Sequence, residues 1–191
     1  MSKLVLLTTV LATACTTNDS LETETSTAQT IGAASCPAGV PAALAPAADQ
    51  TLAFALDADG VQKYACNGAG AWAFVAPEAV LFQGNQAFIH HYAGPTWEWL
   101  DGSTVVGARV AGATVDASAI PWLLLRVTNR NAIDGKMTGV TAIQRLVTTG
   151  GLAPAGACNP GDAADVPYTA QYLFYRTKAD HPENNVRCGA L

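Results

Sequence analysis

Residues 168–176 read YTAQYLFYR, and this stretch decides the fold class. Successive side chains on a β-strand point to opposite faces, so Tyr168, Ala170, Tyr172 and Phe174 share one face and Thr169, Gln171, Leu173 and Tyr175 the other. An aromatic stripe of this kind reads as core rather than as a ligand cradle. Alternating or β-rich segments recur on the N-terminal side at 51–56, 61–66, 72–75, 87–92, 96–100, 104–110, 120–127 and 140–148. Between them stand turn formers: DADG, NGAG, AGP, LDGS, NAIDGK, TTGGLAPAG and NPGDAAD. Short strands punctuated at near-regular spacing predict an all-β domain, a single-domain β-sandwich or barrel of short antiparallel strands.

IPWLLLRV, from Ile120, is apolar on both faces apart from Arg126, as a strand covered on each side would be. No long stretch carries the apolar period of an amphipathic helix, and Pro37, Pro41 and Pro46 interrupt the alanine-rich region 38–48. In GVTAIQRLVT the alternation sets Arg145 beside Thr141, Ile143 and Val147, and Gln144 beside Val140, Ala142 and Leu146. A half-buried arginine needs a partner. An ion pair with Glu98 or Asp101 is the structural expectation for Arg145, and an anion-binding role is the functional alternative.

The densest cluster of chemically capable side chains is IHHYAGPTWEWLDGS, residues 89–103. His90 and His91 are adjacent, so on a strand they face opposite ways and do not simply share one ion. Trp97 and Trp99 share a face, opposite to Glu98, and could form a stacking platform for sugar rings with Glu98 or Asp101 as polar partners. A metal site from His90 or His91 with a carboxylate, for example His91 with Glu98 and His181, is a further candidate, as is an acid/base pair of Glu98 and Asp101. The plainer reading makes His91 a hydrogen-bonded residue at a strand end and Asp101-Gly102 a hairpin turn. Gly68-Ala69-Gly70-Ala71-Trp72-Ala73 fits a dinucleotide-binding pattern, yet the segment AWAFVAP that it leads into is β-like and is stopped by Pro77, so a hairpin turn is expected. HExxH, CxxC, GxSxG and P-loop patterns are absent, and no cofactor is expected.

The N-terminus begins MSKLVLLTTVLATAC: Lys3, then a largely apolar run too short to cross a bilayer, then small residues before Cys15. Residues 1–14 read as a signal peptide, and Cys15 resembles the lipidated cysteine of a bacterial lipobox, with Ala12 where leucine is usual. Residues 15–35 form a Thr/Ser-rich flexible tether, and 36–191 the β-domain. Setting Cys15 aside leaves Cys36, Cys66, Cys158 and Cys188, an even set that suggests two disulfides in an exported chain. Four cysteines allow three pairings, and spacing does not choose among them. Our working expectation pairs Cys66 with Cys158 inside the domain and Cys36 with Cys188 across its ends. Charged residues make up 13% of the chain and the net charge is −5, without a basic run, so nucleic acid is not an expected partner.

Several of these segments together resemble an uncharacterised domain-of-unknown-function family of secreted bacterial and fungal proteins. The resemblance rests on GVQKYAC, HYAGPTWEW, DGSTVVG, IPWLLL, VTAIQRLVTTGGLAP, Cys158 and YTAQYLFYR. It implies an all-β exported domain, no established activity, and a modest preference for the Cys66–Cys158 pairing. Some fungal relatives carry a malate dehydrogenase label, which this sequence does not support. The expectation is therefore a lipid-anchored, disulfide-stabilised module of the periplasm or cell surface, non-catalytic, with a polysaccharide or protein partner. Thr16 after Cys15 favours the outer membrane if the cell has one.

Overall fold

The structure is a computed structural model and describes residues 35–180 and 185–189. The expected signal segment, Cys15, the tether up to residue 34 and His181 lie outside the described residues. Among the described residues eight strands occur in order: β1 (Gln50–Cys66), β2 (Trp72–Gln83), β3 (Gln86–Tyr92), β4 (Thr96–Trp99), β5 (Thr104–Ala113), β6 (Trp122–Arg130), β7 (Val140–Gly150) and β8 (Ala163–Thr177). Each pairs antiparallel with the next, and β8 pairs with β1 to close a barrel. The alanine-rich region supplies one 3₁₀ turn, Ala42–Leu44.

The fold class is all-β, with strands longer than the turn signals suggested. DADG does not turn: β1 runs through it for 17 residues, with Asp57 and Asp59 exposed and Ala58 buried inward. The tetrapeptide alternates polar-out and small-in, and that period suits a strand crossing a crowded wall. Gly60 sits where a Cβ would lie 2.2 Å from the Glu78 carbonyl oxygen of β2, so only glycine fits. Nor does Pro77 stop β2. A register shift between Lys63 and Tyr64 bulges β2 at Val75, and proline is tolerated beside such a bulge. GAGAWA forms the β1–β2 hairpin loop, where Asn67 Oδ1 accepts from the Ala69 and Ala71 N–H groups, and it opens no helix.

Inward positions build one core of Phe54, Leu56, Leu81, Ile89, Trp97, Leu125, Ile143, Tyr172 and Phe174. At one end of the barrel Phe54 stacks on Phe174 at 4.6 Å and meets the edge of Trp99 at 5.5 Å. The β6–β7 loop closes that end. Met137 is buried in the core, Lys136 Nζ lies 5.3 Å above the Phe54 ring, and Asp101 accepts from the Lys136 N–H at 2.7 Å.

A second core lies on the outer face of β6, β7 and β8, so IPWLLLRV is covered on both sides. Trp122, Leu124, Ala142, Leu146, Leu173 and Tyr175 are buried there under Leu44 and Cys188 of the two terminal segments. Gln144 fastens this strap: its Nε2 donates to the Leu44 and Cys188 carbonyls, and its Oε1 accepts from the Tyr175 hydroxyl. Disulfides join Cys36 to Cys188 within the strap and Cys66 to Cys158 at the far end of β1.

Candidate functional site

The barrel is filled at the Phe54 end and hollow at the other. A cavity of about 310 Å³ opens there, lined by Gln62, Phe74, Val75, Pro77, His91, Gly94, Pro95, Trp97, Gly107, Ala108, Arg109, Leu123, Leu125, Arg145 and Tyr172. Phe74 and Val75, 55% and 60% exposed, stand at its mouth together with the exposed Arg109. Eight-stranded barrels are just wide enough to be filled by side chains or to hold one small ligand, and this one does the first at one end and leaves room for the second at the other.

Strand alternation explains which side chains reach the cavity. On β3, His91 turns inward and His90 outward, where the His90 ring lies 4.9 Å from that of Tyr92. His91 is 2% exposed, stacks on Trp97 at 4.3 Å and meets the Tyr172 ring edge at 5.4 Å. These three rings form a layer between the cavity and the filled half. The contact from His91 Nδ1 to the Thr96 carbonyl is 2.8 Å. A carbonyl only accepts, so Nδ1 carries the hydrogen and Nε2 is the unprotonated nitrogen. Burial lowers the His91 pKa to about 3, and the positive charge of Arg145 works in the same direction.

Trp97 is 1% exposed, and Gly107 on β5 makes room for it: a Cβ at that position would lie 2.9 Å from the indole. Trp99 is wedged at the closed end between Phe54 and Phe88. The two indoles therefore share the inward face, as expected, and do not form an external platform for sugar rings. Trp97 is buried within the core and Trp99 is partly buried against its closed end.

The remaining expected site residues separate. Glu98 lies opposite His90, not His91, on the outer face and accepts from the Tyr92 hydroxyl at 2.9 Å. Asp101 sits in the β4–β5 turn, accepting from the Ser103 N–H at 2.8 Å and its hydroxyl at 2.5 Å. Glu98 and Asp101 thus have separate local duties and form no acid/base pair. His91 and Glu98 point away from each other, and among the described residues no three His, Cys, Asp or Glu side chains converge to hold a metal ion.

Arg145 is corrected in its partner. It faces inward, whereas Glu98 faces outward and Asp101 is engaged at the opposite end, so the expected ion pair does not form. Instead its Nε and Nη2 donate to the Pro121 carbonyl at 3.3 and 2.9 Å. Among the described residues no carboxylate lies within ion-pair distance of it. Two neutral donors accompany it in the wall. Gln62 and Trp97 are 3% and 1% exposed, yet Gln62 Nε2 and Trp97 Nε1 make no hydrogen bond of good geometry among the described residues, the Gln62 amide lying near enough to the Tyr168 hydroxyl only to favour its ionised form weakly. Tyr172 completes the polar set, its hydroxyl 3.3 Å from that of Tyr168, and burial raises both phenol pKa values. Sequence reasoning missed Gln62 and the cavity side of Tyr172. The available signal was Gln62 two places from Tyr64 in GVQKYAC, a polar residue on the inward phase.

Residues 82–176 match the model of a family described as a protein of unknown function (DUF3455). This supports an uncharacterised family of unknown function for the region from the end of β2 through most of β8. Cys158 falls within the match, while Cys66 and the GVQKYAC segment fall before it. No curated protein and no solved structure matches the chain. Among the described residues no helix is long and apolar enough to cross a membrane. Disulfides persist in oxidising compartments, and the two bonds fit an exported protein.

Proposed function

We propose that this chain is an exported, lipid-anchored barrel of the cell envelope that holds a small, largely apolar molecule in its interior and performs no chemistry on it. One observation carries the binding reading: Gln62 and Trp97, whose buried Nε2 and Nε1 donors lack hydrogen-bond partners among the described residues, are among the residues lining a largely apolar cavity of about 310 Å³. Buried donors are nearly always satisfied, and leaving one unmade costs about 1–3 kcal/mol, which a bound acceptor would recover. A non-catalytic role is supported by His91. An imidazole with its pKa at about 3 is a weak proton acceptor at neutral pH, far from the value that suits general-base work. The anchor and envelope location rest on the sequence at Cys15, and the two disulfides agree with export.

The binding reading is tested by titrating the purified chain with naphthalene, a neutral ten-carbon fluorophore of a size the cavity admits. Saturable one-to-one binding is expected, and Leu123→Trp, which fills the cavity from β6, should abolish it. A wild-type protein that does not bind, or a filled variant that binds equally well, would sink the proposal. Intact mass of membrane-extracted protein tests the anchor: a diacylglyceryl addition on a chain starting at Cys15 is expected, and an unmodified chain overturns it.

A further inference from the structure

We propose that the molecule held in the cavity is a monocarboxylic acid with an apolar body, its carboxylate seated against Arg145. This rests on the interior-binding reading above and adds the ligand's chemical class. Most of the polar groups in the wall are donors that suit an acceptor: Gln62 Nε2 and Trp97 Nε1 lack partners among the described residues, and the Arg145 guanidinium, held by the Pro121 carbonyl and beside the Tyr172 hydroxyl, carries the charge. His91 Nε2 is the acceptor in the set, suited to a hydroxyl or a water.

Charge narrows the class further. Among the described residues that line the cavity, Arg145 is the inward cation, Arg109 stands exposed at the rim, and no carboxylate is present. The Pro121 carbonyl occupies the Nε and Nη2 side of the Arg145 fork but brings no negative charge. A guanidinium taken out of water without a counter-ion is costly, and a ligand carboxylate would compensate it with charge-assisted hydrogen bonds. The positive field of Arg145 reaches His91, Tyr64, Tyr168 and Tyr172, in each case secondary to the effect of burial. A cationic ligand would meet that field with nothing to answer it, and a polyanion would find one inward cation for several charges.

Size and lining set the body. At about 30 Å³ per water-sized group, 310 Å³ holds roughly ten such groups. Leu123, Leu125, Trp97, Phe74 and Val75 offer an apolar wall from the interior to the mouth. Those dimensions suit a medium-chain or single-ring acid.

Isothermal titration of the full chain with octanoate, octanol and octylammonium tests the class. Octanoate should bind at least tenfold more tightly than octanol, and octylammonium should give no saturable heat. Arg145→Gln should erase the preference for octanoate while leaving octanol binding in place. Because Arg145 also holds the Pro121 carbonyl, Gln62→Met on a different strand provides a second variant, expected to weaken octanoate several-fold. Octanol binding as tightly as octanoate, or octanoate binding that neither variant weakens, overturns the acid assignment and leaves interior binding standing. If the neutral fluorophore also fails to bind, the interior-binding reading falls with it.

Discussion

His91 shows at the scale of one residue how burial sets behaviour. Below the ordinary imidazole value of 6.5 the unfolded chain takes up a proton here that the folded chain refuses until about pH 3. Stability is therefore full above 6.5 and falls as the pH drops through that window, with a slope approaching about 1.4 kcal/mol per pH unit from this group. His91→Phe, which keeps a ring against Trp97, should flatten that part of the profile in denaturant unfolding at pH 7 and pH 4.5; an unchanged slope would show that His91 is not the buried base responsible. Gly107 makes the complementary point about space. Gly107→Ala places a Cβ 2.9 Å from the Trp97 indole, so the ring or β5 must shift. The expected cost is about 1–3 kcal/mol, read as a lower Tm with a changed tryptophan emission. The inward stripe of Tyr168, Ala170, Tyr172 and Phe174 was legible, because period two needs nothing beyond the chain itself. The spare donors of Gln62 and Trp97 were not legible: a side chain's partner depends on which strand stands across the barrel.

At the scale of elements, the terminal strap is the least predictable part of the fold and among the most consequential. Register shifts between Leu52 and Phe54 on β1, and between Val140 and Ala142 on β7, pass successive apolar residues from one face to the other. Leu52 packs outside under the strap and Phe54 inside the barrel. Gln144→Leu should break the fastening, since the Leu44 and Cys188 carbonyls and the Tyr175 hydroxyl all lose a buried partner. Loss of about 1–3 kcal/mol is expected, with faster hydrogen exchange confined to residues 40–52 and 185–189. Exchange rising uniformly across the barrel would instead mean that the strap and barrel unfold together. Alternation did show which face Gln144 shares with Ala142 and Leu146. That this outer face is covered by the chain ends was beyond it.

Across the whole molecule, the disulfides tie distant parts of one closed sheet. Cys36–Cys188 spans 152 residues and Cys66–Cys158 spans 92, separations for which the chain-entropy account gives about 4–5 kcal/mol each. Replacing Cys36 and Cys188 by alanine should lower the Tm by more than Gln144→Leu does and expose the outer apolar patch around Trp122, Leu124 and Leu173, detectable by dye binding. A Tm within a degree of wild type would show that the non-covalent strap suffices. The sequence by itself determined the all-β class and the inward faces of its strands, since period-two patterning and turn chemistry are local properties of the chain. Only the tertiary structure decided that the sheet closes, that Trp97 is consumed by the core, and that Arg145 faces the cavity with no carboxylate beside it among the described residues. Those outcomes depend on which residues meet across the barrel, and that is fixed by closure and register rather than by neighbours in sequence.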